Sequence, residues 1–158
     1  MCPYCGQFER AQATDLKALV DSGEARVVIH VMNFLDDSSS GTKYSTRAAN
    51  ALVTVALKEP DKALAFNTAL YVDQPAEGSS GLTDAEIASR AVKAGVSQTV
   101  ADSFASLSQL DRVTKSNDAS FAAGIQSTPT IKINGTVFSR NLYTAGSLKA
   151  AVDKAAGK

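Results

Sequence analysis

Between Gly41 and Gly124 the sequence offers one helical pattern after another, and strand patterns occur only on either side of that block. Ordinary α/β units alternate more evenly, so this order predicts a sheet domain in two halves interrupted by a helical insertion. Residues 1–40 and 124–158 are expected to form the first domain and residues 41–123 the second. The 158 residues are enough to bury a sizeable core.

At the amino end, Phe8, Ala11, Leu16, Leu19 and Val20 recur at helical spacing after Cys2-Pro3, and Gly23 supplies a stop. Residues 26–32 are rich in Val and Ile without clean alternation, which predicts a strand covered on both faces. A polar loop at 36–41 leads into the block. Its helices are expected over 42–58, ended by Pro60, and over 63–72, ended at Gln74-Pro75. Thr83-Asp84-Ala85-Glu86 fits a capping box, with Leu82 and Ile87 spaced as its hydrophobic staple, and this helix ends near Gly95. Ser97 caps another that places Val100, Phe104 and Leu107 on one face, and the last covers 111–123. Beyond Gly124, a strand at 130–133 turns at Asn134-Gly135, the strongest short hairpin signal, into a return strand at 136–139. A final helix over 144–156 buries Leu148, Val152 and Ala155.

Several function classes are disfavoured. Sixteen acidic residues balance sixteen basic ones, whereas binding many phosphates needs a basic excess, so nucleic acid is not an expected partner. No stretch approaches the roughly 18 unbroken apolar residues of a membrane-spanning helix. Cys2 and Cys5 are the only cysteines and His30 the only histidine. Together they fall short of the four ligands of a structural zinc site, so neither a metal nor a separate cofactor is expected. A purely structural disulfide is also a weak reading, because closing so short a loop removes little chain entropy. What remains is redox chemistry of the cysteine pair itself.

That chemistry needs a thiolate, and a thiol of ordinary pKa is mostly protonated at neutral pH. A helix amino terminus favours the anion through its unpaired N–H groups and positive dipole end. Cys2 sits where that effect is largest. Pro3 suits the first helical turn, since its missing N–H costs nothing there. Cys5 follows three residues on, about one turn, so one thiol can attack and the other resolve. Thr128-Pro129 opens the later strand, and a cis bond there would present the Thr128 backbone to an extended substrate as an added strand. X–Pro bonds are mostly trans, so an ordinary trans proline at a sheet edge is the commoner reading.

Taken together, the motifs resemble a known family. Cys2-Pro3-Tyr4-Cys5 with Gly6 and Phe8, the helical insertion, and Gly124-Ile125-x-x-Thr128-Pro129-Thr130 with Ile133-Asn134-Gly135 are similar to DsbA-like oxidoreductases of the thioredoxin superfamily. Gln74-Pro75 before Leu82-Thr83, and Ala94-Gly95-Val96, add to the likeness. The resemblance implies an α/β thioredoxin fold with an inserted helical domain. It implies Cys2 as attacking thiolate, Cys5 as resolving partner, and Pro3, Tyr4, Thr128 and Pro129 as substrate-facing residues. It also implies cysteine-containing or unfolded protein substrates, a redox partner that recycles the pair, and an extracytoplasmic setting.

Two departures matter. Tyr4 stands where the best-known members carry histidine, which makes a less acidic Cys2 and a less oxidising disulfide the expectation. Cys-Pro-Tyr-Cys also occurs in glutaredoxins, which generally work as reductants. In the family, moreover, a central strand leads into the active-site helix, and here the motif begins at Cys2. The first central strand is therefore expected from polypeptide upstream or from strand exchange with a neighbouring chain, since its absence would leave backbone groups unpaired.

Other residues read as structural. His30 is assigned a structural or surface role, Met32 the core, and Tyr44, Tyr71 and Tyr143 packing or surface positions. Glu9 and Glu24 read as solvated charge, and Ser38 to Ser40 as a connection without the phosphate-loop pattern. The leading reading is an oxidase that donates disulfides to proteins. A reductase or glutaredoxin-like enzyme using a small thiol, and a peptide-binding or chaperone-like module with incidental cysteines, are the alternatives.

Overall fold

Seven helices and one hairpin make up a computed structural model that describes every residue from Met1 to Lys158. In chain order they are α1 (Pro3–Asp21), α2 (Tyr44–Lys58), α3 (Ala63–Tyr71), α4 (Asp84–Lys93), α5 (Gln98–Asp102) and α6 (Leu110–Ala122), then β1 (Ile131–Ile133), β2 (Thr136–Phe138) and α7 (Ser147–Ala155). They divide into two packing units. One comprises residues 1–2 and 30–124, the other residues 3–29 and 125–158.

In the first unit α2 is the centre. Ala49, Ala51, Leu52 and Val55 are all buried, and Asn50 and Thr54 are buried beside them, so the helix is covered on most of its circumference. Phe66 of α3 is fully buried and stacks on Phe104, with ring centroids 5.7 Å apart and planes 14° from parallel. Ile87 and Ala91 of α4 close the same cluster. Burying Asn50 would be costly without partners, and it has two: its Nδ2 donates to Phe104 O at 3.0 Å, and its Oδ1 accepts from Gln109 N at 2.9 Å. Gly81, at φ +70, runs against the buried Tyr44 ring, whose phenol is pushed above its ordinary pKa chiefly by burial.

The capping box forms as the sequence predicts. Glu86 N donates to Thr83 Oγ1 at 3.2 Å and Thr83 N donates to Glu86 Oε2 at 2.7 Å. The Thr83 N–H, and then its hydroxyl, hold the Glu86 carboxyl below its ordinary range. Replacing Thr83 with alanine should destabilise the unit by about 1 kcal/mol in urea denaturation; an unchanged midpoint would show that the box contributes nothing.

Two expectations in this unit are corrected. The helix expected to run from Ser97 through Leu107 is split: α5 ends at Asp102, a short 3₁₀ turn covers Phe104–Ser106, and Leu107 turns left-handed at φ 50. Ser103 Oγ donates to Val100 O and Ser106 Oγ to Ser103 O, each at 2.7 Å, drawing carbonyls away from a continuous helical ladder. Residues 30–40, grouped by sequence with the sheet domain, cluster with the helices instead. Ser116 Oγ donates to Val31 O at 2.8 Å, Asn33 Nδ2 to Thr46 Oγ1 at 2.8 Å, and Thr46 N to Asp36 Oδ1 at 2.9 Å.

In the second unit α1 packs on α7, burying Phe8, Leu19 and Leu148. Val152 is half-buried, whereas Ala155 is exposed, against expectation, in the last turn. β1 and β2 pair antiparallel with Ile131 opposite Phe138 and Ile133 opposite Thr136. Asn134 at φ 48 and Gly135 at φ 82 supply the two left-handed residues that such a tight turn needs.

The strand expected over 26–32 is not formed. The segment carries no ladder pairing, and Val28 is 60% and Ile29 41% exposed rather than covered. A strand exists only through a hydrogen-bonded neighbour, and the sheet here consists of β1 and β2 alone. The Val and Ile content alone therefore does not make this segment a strand.

Candidate active site

The site is built at the amino end of α1. Pro3 is the first residue of this 19-residue helix, with φ already fixed for it and no N–H left over. Cys2 therefore immediately precedes the helix, where the first-turn N–H groups and the positive end of the dipole act. No acidic residue stands in that first turn to offset them. Cys5 follows within the turn. Both cysteines are thiols in the structure, and both are partly accessible.

Two local contacts hold the backbone. Gln74 Nε2 donates to the Cys2 carbonyl at 2.8 Å, which gives the Gln74-Pro75 pattern a structural task that its sequence alone did not reveal. Further along α1, Gly6 and Phe8 are buried and fix the helix below the motif.

Thr128 and Pro129 lie just before β1, in the same unit as α1, and both are partly exposed. The peptide bond between them is cis. Thr130 Oγ1 donates back to Ser127 O at 2.7 Å, a local clasp that spans the bond.

The remaining singled-out residues fall as follows. His30 is exposed in the extended segment, and Met32 is only half-buried. Glu24 pairs with Lys158 at 2.6 Å, a contact that holds its carboxyl below the ordinary range. Glu9 corrects an expectation: it is 7% exposed, not solvated, and shares a helix face with Cys5 four residues earlier.

Sequence reasoning passes over Gln12 and reads Tyr143 only as a packing or surface residue. Tyr4 is 58% exposed, and its ring lies 6.5 Å from that of Tyr143, which is 47% exposed. Gln12 is fully buried on the α1 face that carries Phe8 and Leu19. A polar residue at an apolar-face position is a readable signal, and Gln12 sits four residues after Phe8. Tyr143 carries none, because it stands in an aperiodic loop.

A family model for thioredoxin matches residues 1–154. Among solved structures, the disulfide bond oxidoreductase DsbG of Mycobacterium tuberculosis, in its reduced form, superposes with a TM-score of 0.84 at 31% identity. The match covers 99% of this chain and 74% of that one. Reduced DsbA of the same organism gives 0.84 at 30% identity, over 99% and 78% of the two chains. Among curated proteins, the M. tuberculosis serine/threonine-protein kinase PknE is 38% identical over 125 residues, which is 76% of this chain but only 22% of that protein. The chain thus spans about a fifth of that relative's length.

Proposed function

We propose, from the premise that this chain belongs to the thioredoxin family as a DsbA-like thiol–disulfide oxidoreductase, that it works as an oxidase of cysteine-containing proteins. The observation that carries this reading is Cys2-Pro3-Tyr4-Cys5 at the start of a long helix whose first turn holds no acid.

In the oxidising direction a substrate thiolate attacks Cys2 of the Cys2–Cys5 disulfide. The sulfur–sulfur bond of the pair breaks, Cys5 leaves as the thiolate and takes up a proton, and a mixed disulfide joins Cys2 to the substrate. A second substrate thiolate then attacks the substrate sulfur of that bond and releases Cys2. Two electrons have moved from the substrate dithiol to the enzyme; one proton rests on Cys5, and the other goes to solvent while Cys2 stays ionised. A redox partner must remove those electrons to restore the disulfide. A helix start that stabilises the Cys2 thiolate makes it a good leaving group, which favours this direction. Pro3 and Tyr4 flank the reacting sulfur, and Thr128 and Pro129 are assigned to hold the substrate backbone as an added strand.

An oxidising compartment outside the cytoplasm suits such a donor. No helix is long and apolar enough to cross a membrane. The edge of β1 turned away from β2 is assigned to a further strand, supplied by polypeptide beyond these residues or by a neighbouring chain.

One specific observation favours a second reading: Tyr4 in place of histidine, in a Cys-Pro-Tyr-Cys motif that glutaredoxins share, suits a reductant using a small thiol. The reduction potential separates the two. Equilibration in glutathione buffers should give a value between about −120 and −200 mV for the oxidase; a value near about −270 mV would make the enzyme a reductant.

A further inference from the structure

The carbonyl of Cys2 receives one hydrogen bond more than its place in the chain requires. As the residue before α1, Cys2 already offers its C=O to the first intrahelical bond. Gln74 Nε2 nevertheless donates to the same oxygen at 2.8 Å. Fixing a glutamine side chain gives up much of its rotamer freedom, and the second lone pair of a partly accessible carbonyl can be satisfied by water. Satisfying that oxygen is therefore not a sufficient reason to hold Gln74 there.

The donor is presented by a segment tethered on both sides. Upstream, Arg90 of α4 donates from Nη1 to Ala69 O at 3.0 Å and to Val72 O, and from Nη2 to Asp73 O at 3.4 Å. Asp73 turns left-handed at φ 44, and Pro75 disfavours a helical conformation for Gln74, so the chain leaves α3 cleanly. Downstream, Gly78 N donates to Ser38 O at 2.7 Å. Ser40 Oγ donates to Gly78 O and Thr42 Oγ1 to Ser80 O, each at 2.6 Å. Cys2 and all of these residues belong to the same packing unit, the helical one.

We propose that Gln74 is a positioning residue for the redox reaction, which acts through the Cys2 carbonyl to stabilise the Cys2 thiolate relative to the disulfide. This rests on the reading of Cys2 as the reacting thiolate. The carbonyl oxygen is joined to Sγ only through C, Cα and Cβ, so its partial negative charge stays close to the sulfur in every rotamer. A thiolate is repelled by that charge, and an N–H on the oxygen offsets the repulsion. A disulfide sulfur carries no charge and gains nothing from the donor. The same bond restricts rotation about Cα–C of Cys2, and with it the direction in which the sulfur leaves the backbone. The charged groups of the tethered segment are Asp73 and Glu77, both exposed, and Arg90 bonded to its carbonyls; the test leaves all three unaltered.

The experiment follows the pH dependence of alkylation at Cys2 in the reduced protein, read by mass, together with the equilibrium against glutathione. Gln74→Met keeps the side-chain length and loses the donor. Its Cys2 acid constant should fall about two- to fivefold, the worth of one neutral hydrogen bond. At a pH where Cys2 is ionised, the glutathione equilibrium should move by the same factor toward a less oxidising disulfide. Gln74→Glu sets a carboxylate against the same oxygen and should lower the acid constant further. Thr83→Ala weakens the same unit at its capping box, away from the motif, and should leave both quantities unchanged. An unchanged acid constant in Gln74→Met, a smaller effect in Gln74→Glu, or an equal shift in Thr83→Ala overturns the role of Gln74. A wild-type Cys2 that titrates like an ordinary thiol overturns instead the reading of Cys2 as a stabilised thiolate, and the positioning role falls with it.

Discussion

Replacing Cys2 with serine should abolish disulfide exchange with peptide thiols, lowering the rate at least about a thousandfold. A hydroxyl at that position can neither form the mixed disulfide nor leave as a stabilised anion, and Cys5 alone cannot close an intramolecular disulfide. Replacing Cys5 should do something different. Given a substrate that carries a disulfide, the Cys2 thiolate still attacks it and one substrate sulfur leaves, but no Cys5 resolves the mixed disulfide, so a covalent adduct accumulates and is visible as an added mass. RNase refolding or insulin reduction that survived in Cys2→Ser would remove the mechanism altogether. The pair of variants therefore assigns the attacking and resolving roles separately.

The second large effect lies far from the chemistry. A Cβ built on Gly81 would lie 2.2 Å from Tyr44 Cγ and 2.6 Å from Cβ and Cδ1 of the same residue. Those are the root of a buried side chain, not a flexible end that can swing aside. The backbone at φ +70 adds the cost of a left-handed alanine, roughly 1–2 kcal/mol. Overpacking adds about 1–3 kcal/mol, so Gly81→Ala should destabilise the helical unit by about 2–5 kcal/mol in urea denaturation. Gly78→Ala serves as its control. Gly78 has φ +84 but nothing within 4 Å of the added atom, so only the backbone cost applies. Equal losses in the two variants would show that the Tyr44 contact contributes nothing.

What could be read from the sequence was what short-range chemistry encodes. The Thr83 capping box, the Asn134-Gly135 turn and the helix start at Pro3 each depend on a few adjacent residues, and each forms. Residues 26–32 show the limit of that logic. Their Val and Ile content states a preference, but a strand is a relation between two segments, and no other segment pairs with this one. The break after Asp102 was missed because the serine hydroxyls at 103 and 106 compete with the backbone for carbonyls, a contest that apolar periodicity does not register. Glu9 and Gln12 were misjudged or overlooked for a related reason. A polar residue is assumed to face water, and its burial depends on partners far away in the chain. For Gln12 those partners are 130 to 135 positions distant.

That separation bears on the order in which the molecule can assemble. Residues 30–124 are contiguous, so the helical unit can close as soon as they have been synthesised. α1, made before that unit, finds its partners Leu142, Thr144 and Leu148 only when the segment that follows the unit emerges. The redox-active helix is thus made before the helical unit and secured after it. A truncation at the carboxyl end would consequently be felt at the thiols near the amino end.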